Sequence, residues 1–461
     1  MATKTKGRAT TKKKPAPVED EAAARIKKAG EPAQLSAKLH PFYQGKIEIS
    51  LKAPVRTHDD FAIWYTPGVA EPCREIVKEP EAVYRLTNKW NNVAIVTDGS
   101  RVLGLGDIGP EAGLPVMEGK SLLFKFLGGV DAFPICLKTK DPNEIVETVQ
   151  RLTPSFGGIN LEDIAQPKCF DILARLRETL EIPVWHDDQQ GTATIVVAGA
   201  INAVKVVGKT LASARIAMVG AGASNVRTAH ILIAAGAKAR NIVMADSKGI
   251  LHTGRTDLKG AYPDKWVLAS VTNGEGRTGG PAEAIKGADI LIAASRPGPG
   301  VIQKAWIGSM ADDAIVFTIA NPVPEIWPWE AKEAGARIVA TGRSDFPNQV
   351  NNSLGFPGIF RGTLDVRAKT ITDEMCLAAA QELAKIADDR GLKDDYIVPT
   401  MEEEGVFARE AVAVGMKAIE QGIARVKPSR QELGARAREI IDRARAQTQN
   451  LMKAGFIRAP P

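Results

Sequence analysis

The stretch ARIAMVGAGASN, residues 214–225, decides the fold. An apolar run stops at two glycines, and VRTAHILIAAG (226–236) continues with helical apolar spacing. Strand, glycine turn and helix in that order bring free backbone N–H groups to a helix N-terminus, where a pyrophosphate can sit. Gly220 permits the tight turn and Gly222 lets the backbone come close to a phosphate, so Gly220, Ala221, Gly222, Ala223 and Ser224 form the expected cofactor-binding loop. Asn225 stands where the usual pattern has a third glycine, a departure expected to loosen helix–strand packing or redirect the turn.

The pattern extends outward from this loop. Downstream, NIVMADSKG (241–249), ADILIAAS (288–295), AIVFTIANP (314–322) and ARIVATG (336–342) read as further strands. Asp246 ends the first of them, where an acid that bonds the ribose is expected. Upstream, NVAIVTDG (92–99), VDAFPICLK (130–138), GGINLEDI (157–164) and IPVWHDD (182–188) read as strands. Between them NEIVETVQRLTPSFG (143–157) is helical up to Pro154, KCFDILARLRETL (168–180) has helical spacing, and an apolar helix follows at 192–208. This alternation predicts two parallel-sheet α/β domains, the second a Rossmann-type dinucleotide-binding domain, with a helical C-terminus. The expected division is a basic tail at 1–40, a catalytic domain at 41–195, a nucleotide domain at 196–425 and a helical extension at 426–461.

Composition excludes several classes. The chain has 461 residues, 44% of them hydrophobic and 25% charged, as in globular proteins. No apolar run reaches the roughly 18 residues that cross a membrane, and no secretory signal opens the chain. Cys73, Cys136, Cys169 and Cys376 are scattered without CxxC spacing, which fits a reducing, cytoplasmic setting. Residues 1–30 hold nine Lys/Arg against three Asp/Glu, which is the whole net charge of +6. The basic character thus belongs to a tail, expected to be disordered over 1–17, and nucleic acid is not an expected partner.

The first domain places acids where strands end. Glu162 and Asp163 follow one predicted strand, and Asp187 and Asp188 follow another. Ligands bind at the carboxyl ends of strands in open α/β sheets. Gathered acids repel one another, and all-oxygen ligation suits Mg²⁺ or Mn²⁺. Adjacent residues on a regular strand point to opposite faces, so both members of a pair can ligate only where the strand has already turned. Lys120 in PVMEGKSLLFK and Tyr65 in WYTPGVA are further candidates, but composition and spacing do not choose between Lys120 and Lys125.

Read together, WYTPGVAEPC (64–73), VTDGSRVLGLGDIG (96–109), LPVMEGKSLLFK (114–125), FGGINLEDI (156–164), VWHDDQQGTA (184–193), VGAGAS (219–224), IANPVPEI (319–326) and GRSDFPNQVNNSLGFPGIFRG (342–362) resemble the malic enzyme family in its short prokaryotic form. The resemblance runs in family order from about residue 40 to about residue 425. It implies oxidation and decarboxylation of malate to pyruvate with reduction of NADP or NAD. Tyr65 is then the proton donor and Lys120 the general base, its pKa lowered by burial and metal charge against the opposing pull of the acid cluster. Glu162, Asp163 and Asp188 bind Mg²⁺ or Mn²⁺, with Asp187 supporting the lysine. Arg101 holds a substrate carboxylate, and Asn321 and Asn352 contact cofactor and substrate. At the strand end, Asp246 alone favours NAD, while Ser247 and Lys248 can bond a 2′-phosphate, so Asp246-Ser247-Lys248 leans toward NADP. Malate and pyruvate are the expected partners, with the chain as a homo-oligomer, dimer or tetramer. The alternatives are a hydroxy-acid dehydrogenase that does not decarboxylate and a non-catalytic nucleotide-binding scaffold.

Overall fold

Two parallel sheets organise the chain, one on each side of the expected division. The computed structural model describes residues 18–461, with side chains from residue 24 onward. The disorder expected for residues 1–17 therefore falls outside the described residues. By internal contacts the chain separates into residues 47–458 and a small unit of 1–46 with 459–461. Within the small unit, Val18–Tyr43 is a helix, so part of the expected tail is regular structure.

The first sheet has the order β2-β1-β3-β4, with β1 Asn92–Thr97, β2 Asp131–Cys136, β3 Gly158–Leu161 and β4 Val184–His186, all parallel. The second has the order β10-β9-β8-β5-β6-β7, with β5 Ile216–Val219, β6 Ile242–Asp246, β7 Gly249–Ile250, β8 Ile290–Ala293, β9 Ile315–Thr318 and β10 Ile338–Thr341. Only β7 runs antiparallel, because the two-residue turn after Asp246 folds the chain straight back on β6. The two-fold period of each strand sorts its residues between two layers. Val93 and Ile95 face one core, while Ala94 and Val96 face another, walled by the helices Pro142–Leu152 and Lys168–Thr179.

The cores differ in reach. The Val93 core continues without a break through the helix Thr192–Val206 to Ile216, Ile290 and Phe317 of the second sheet. Residues after 352 also return to the first sheet. Phe356 and Phe360 pack on Phe124 at ring-centroid distances of 4.5 and 5.1 Å, and Phe360 meets Trp185 at 6.3 Å. The close approach needs Gly128, where a Cβ would lie 2.7 Å from the Pro357 carbonyl oxygen. The polar C-terminal stretch is the helix Arg430–Lys453, started by a reciprocal Ser429–Glu432 cap. It packs against the helix Pro110–Gly128, so the expected extension is part of the wall behind the first sheet.

Candidate active site

Register brings the acids together. Leu161 of β3 pairs with His186 of β4, so Glu162 and Asp187 leave adjacent strands side by side. The strands end earlier than the alternation predicts, and each early end is a turn. Asp163 adopts a left-handed φ of +54°, which a short polar side chain tolerates better than most. Residues Asp187–Gly191 wind into a single π-helical turn. Both pairs therefore satisfy the condition that neighbouring acids can face one place only after the strand has turned. Gly191 makes the second turn possible, since a Cβ there would lie 2.0 Å from Asp187 Oδ1 and 3.0 Å from Asn352 Cβ.

Lys120 enters this cluster from the middle of the helix Pro110–Gly128. Its Nζ lies 2.5 Å from Asp187 Oδ2, 3.1 Å from Glu162 Oε1 and 4.4 Å from the centre of the Phe356 ring. Lys125 lies five residues on, well round the helix, and pairs with Asp131 at 2.7 Å. Trp185 Nε1 donates to Asp187 Oδ1 at 3.0 Å, fixing the carboxylate that holds Lys120. Burial pulls the Lys120 pKa down, but the charges of Asp187 and Glu162 outweigh it and the net direction is up. That is opposite to the lowering expected of a general base. In the protein alone, an ammonium between two carboxylates is a stabilised cation.

Glu162, Asp163 and Asp188 can bring one oxygen each within 4.8 Å of one another. Donors hold several of their other oxygens. Asn160 donates to Glu162 Oε2 at 2.9 Å, the Leu103 amide to Asp163 Oδ1 at 3.3 Å, and the Asp163 amide to Asp188 Oδ2 at 3.1 Å. Asp163 Oδ2 is buried with no hydrogen-bond partner. Burial, then the Asp188 charge, push the Asp163 carboxyl up to about 8, and burial raises Glu162 as well. Buried, crowded carboxylate oxygens, one of them orphaned, suit a hard divalent cation.

The other candidates are placed less closely. The Arg101 amide donates to the Asp163 carbonyl at 3.0 Å, while its guanidinium donates to the Leu103 carbonyl at 3.2 Å. Tyr65 follows the helix Asp59–Trp64 and is 73% exposed, in a row with exposed Phe61, Ile63 and Trp64. Among the described residues it makes no hydrogen bond to the acid cluster.

In the second sheet, Gly220 has a φ of +93°, and a Cβ there would lie 2.3 Å from the Ala294 carbonyl oxygen. At Gly222 a Cβ would meet nothing closer than Gln166 at 4.0 Å, which leaves the space a phosphate needs. Asn225 corrects the expectation attached to the missing glycine. Its buried amide donates to the carbonyls of Gly220 at 2.8 Å and Val219 at 3.2 Å, so it ties the turn to its strand. Asn321 follows β9, and a Cβ on Gly104 of the first domain would lie 2.3 Å from its carbonyl oxygen. Asp246 is engaged by protein groups. Arg255 donates to both its oxygens at 3.2 and 3.3 Å, and Lys265 stands at 3.4 Å. Burial opposes its ionisation, but Arg255, the Lys248 amide and Lys265 outweigh that and hold the carboxyl below the usual range. Lys248 is exposed and pairs with Asp257 at 3.3 Å. Arg255 and Lys265 were not singled out in the sequence; their distance along the chain from Asp246 hides them.

Residues 44–177 match the family description "Malic enzyme, N-terminal domain", and residues 189–419 match "Malic enzyme, NAD binding domain". The chain belongs to the malic enzyme family. It is 48% identical over 402 residues to the bifunctional malic/malolactic enzyme of Bacillus subtilis, covering 87% of this chain and 97% of that one. The NADP-dependent malic enzyme of Halomonas elongata is 44% identical, over 83% of this chain and 92% of its own. The crystal structure of Entamoeba histolytica malic enzyme superposes with a TM-score of 0.94 at 48% identity, covering 97% of this chain and 93% of that one.

Proposed function

We propose that this chain converts malate to pyruvate and carbon dioxide with reduction of a nicotinamide cofactor, through residues of both sheets. The observation that carries the reading is the buried Lys120–Asp187–Glu162 cluster at the ends of β3 and β4. When bound, the cofactor would supply a hydride acceptor, and Mg²⁺ or Mn²⁺, which Glu162, Asp163 and Asp188 would hold, would supply a Lewis acid for the decarboxylation. Lys120 takes the proton of the C2 hydroxyl, and a divalent charge among the acids offsets their pull on its ammonium. Asp187, fixed by Trp185, orients Lys120. Tyr65 donates the proton to C3, Arg101 grips a carboxylate, and Asn352 contacts the substrate. Residues 41–195 carry malate and metal, and 196–425 carry the nucleotide at Gly220–Ser224 and Asn321. The helical extension from 426 backs the Lys120 helix.

The reading also favours NADP. Three cations, Lys248, Arg255 and Lys265, surround two acids at the end of β6, an excess that a 2′-phosphate would meet. Oligomerisation as a dimer or tetramer is supported by the exposed apolar row around Tyr65. Four unpaired thiols support a cytoplasmic setting. Among the described residues no helix is long and apolar enough to cross a membrane. The test incubates the chain with malate, Mn²⁺ and each cofactor. Pyruvate and carbon dioxide, abolished by EDTA, are expected. Oxaloacetate as the only product would overturn the decarboxylating step.

A further inference from the structure

Glu325 is a buried acid that the reaction above does not use. Its carboxylate spans the carboxyl ends of two neighbouring strands. Oε1 accepts from the Ser295 amide at 2.9 Å and the Ser295 hydroxyl at 3.4 Å, just past β8. Oε2 accepts from the Ala320 amide at 3.2 Å, just past β9. The Glu325 carbonyl accepts from the Ile302 amide at 3.1 Å, anchoring the residue from its backbone as well. The first segment it joins borders the cofactor loop, and the second leads into Asn321, the proposed cofactor contact. A Cβ on Gly220 would lie 3.2 Å from Ser295 Cα, and Asn321 follows Ala320 directly. The first domain reaches the same place, since a Cβ on Gly104 would lie 2.2 Å from Pro297 Cγ.

An ionised carboxylate can accept all three of these bonds, and no neutral side chain of that shape can. A glutamine offers one oxygen and turns its amide hydrogens toward the remaining N–H. We propose that Glu325 is a positioning residue for nucleotide binding, clasping the ends of β8 and β9 at the separation the cofactor needs to cross the Gly220 turn. This rests on the reading of that turn as the cofactor loop. The groups facing the carboxyl are the Ser295 amide and hydroxyl, the Ala320 amide and the amide of Glu325 itself. Among the described residues no cation pairs with it, and Arg343 on the adjoining segment donates to the Pro322 carbonyl and to Asp345. Burial pushes the Glu325 carboxyl up to about 7, against the pull of those donors. The clasp therefore closes as pH rises through neutrality and opens as a proton is taken up.

The experiment measures NADPH and NADH binding by fluorescence, without malate or metal, for wild type, Glu325→Gln and Ser295→Ala across pH 6–8. Mn²⁺ binding is measured in parallel by thermal shift. Wild type should bind more tightly as pH rises. Glu325→Gln should weaken binding roughly tenfold or more at pH 8, as loss of a charge-assisted bond does. Its pH dependence relative to wild type should vanish, while Mn²⁺ binding is unchanged. Ser295→Ala removes one donor and should move the wild-type midpoint upward. In turnover, KM for the cofactor should rise with KM for malate unchanged. Equal nucleotide binding by Glu325→Gln and wild type overturns the clasp. So does an equal loss of cofactor and Mn²⁺ binding, which marks general damage. If Glu325→Gln does not fold, an unmoved midpoint in Ser295→Ala overturns it. If wild type binds neither nucleotide, the cofactor-loop reading falls and the clasp with it.

Discussion

The two sheets present their strand ends to ligands with opposite charge. At the ends of β3 and β4, Glu162, Asp163, Asp187 and Asp188 face a single ammonium, Lys120. Near the end of β6, Asp246 and Asp257 face Lys248, Arg255 and Lys265. Burial separates them too. The first cluster is largely sealed from water, and burial pushes its Glu162 and Asp163 carboxyls up. In the second, Asp246 and Asp257 are held below the usual range, Asp257 chiefly by Arg255. One topological position in one type of sheet thus gathers acids on one side and an excess of cations on the other. The fold supplies the place, and the residues after the strand supply the sign.

The largest test of this contrast removes the ammonium that pairs with Glu162 and Asp187 on the acidic side. Lys120→Ala should lower kcat by about 10² to 10⁴, the usual cost of a lost general base. Lys125→Ala should leave kcat nearly unchanged, because Lys125 pairs with Asp131 at 2.7 Å, outside the cluster. Steady-state malate oxidation measures both. A dead Lys125 variant beside an active Lys120 variant would reverse the assignment.

A smaller effect comes from thinning the cage. Asp188→Asn removes a charge from a residue whose Oδ2 is already held by the Asp163 amide. Mn²⁺ affinity should fall at least the roughly 10- to 100-fold that loss of an outer-shell partner costs. NADPH binding should not change, because Asp188 lies on the other sheet's side of the contrast. A metal titration that overlays the wild type would remove Asp188 from the cage.

On the basic side, Lys248→Ala should reduce kcat/KM for NADP about tenfold, with NAD barely affected. Tenfold is the lower end for a charge-assisted bond, since Lys248 is two-thirds exposed and shares its charge with Asp257. Equal losses with the two cofactors would make Lys248 structural, and a wild type that prefers NAD would show that Asp246 still governs the ribose.

The sequence carried the elements better than their ends. Every predicted strand exists, because apolar β-branched runs bounded by glycine or acid are a local signal. Strand ends at Leu161 and His186 were missed, because the left-handed Asp163 and the turn at 187–191 are imposed by the cluster they build. The tight contact of Lys120 with Asp187 was not legible from spacing, since 67 residues separate them and the helix and the strand end that carry them meet only in the folded chain. Arg255, nine residues past Asp246, and Asn225 both need the fold to show which groups their side chains meet.

Another buried acid sharpens the comparison by belonging to neither side. Glu410 lies in the helix Val406–Glu420, fully buried, with no hydrogen-bond partner for either oxygen. A Cβ on Gly358 would lie 2.0 Å from its Oε2, so the neighbouring helix leaves it no room to turn away. Burial alone raises its pKa well above the usual carboxylate range, with no charged neighbour contributing. A group whose folded pKa is raised binds a proton in the folded chain that the unfolded chain has already released. Its contribution is full below the unfolded pKa and is lost as pH rises through the folded one. Glu410→Gln keeps the shape and cannot ionise. Activity should be unchanged, and the Tm of the variant relative to wild type should rise with pH, from near equality or a small deficit in acid. Thermal denaturation at several pH values decides it. Parallel Tm curves would mean that Glu410 finds a proton or a water at every pH, and burial would then not be what distinguishes it from the acids of the cage.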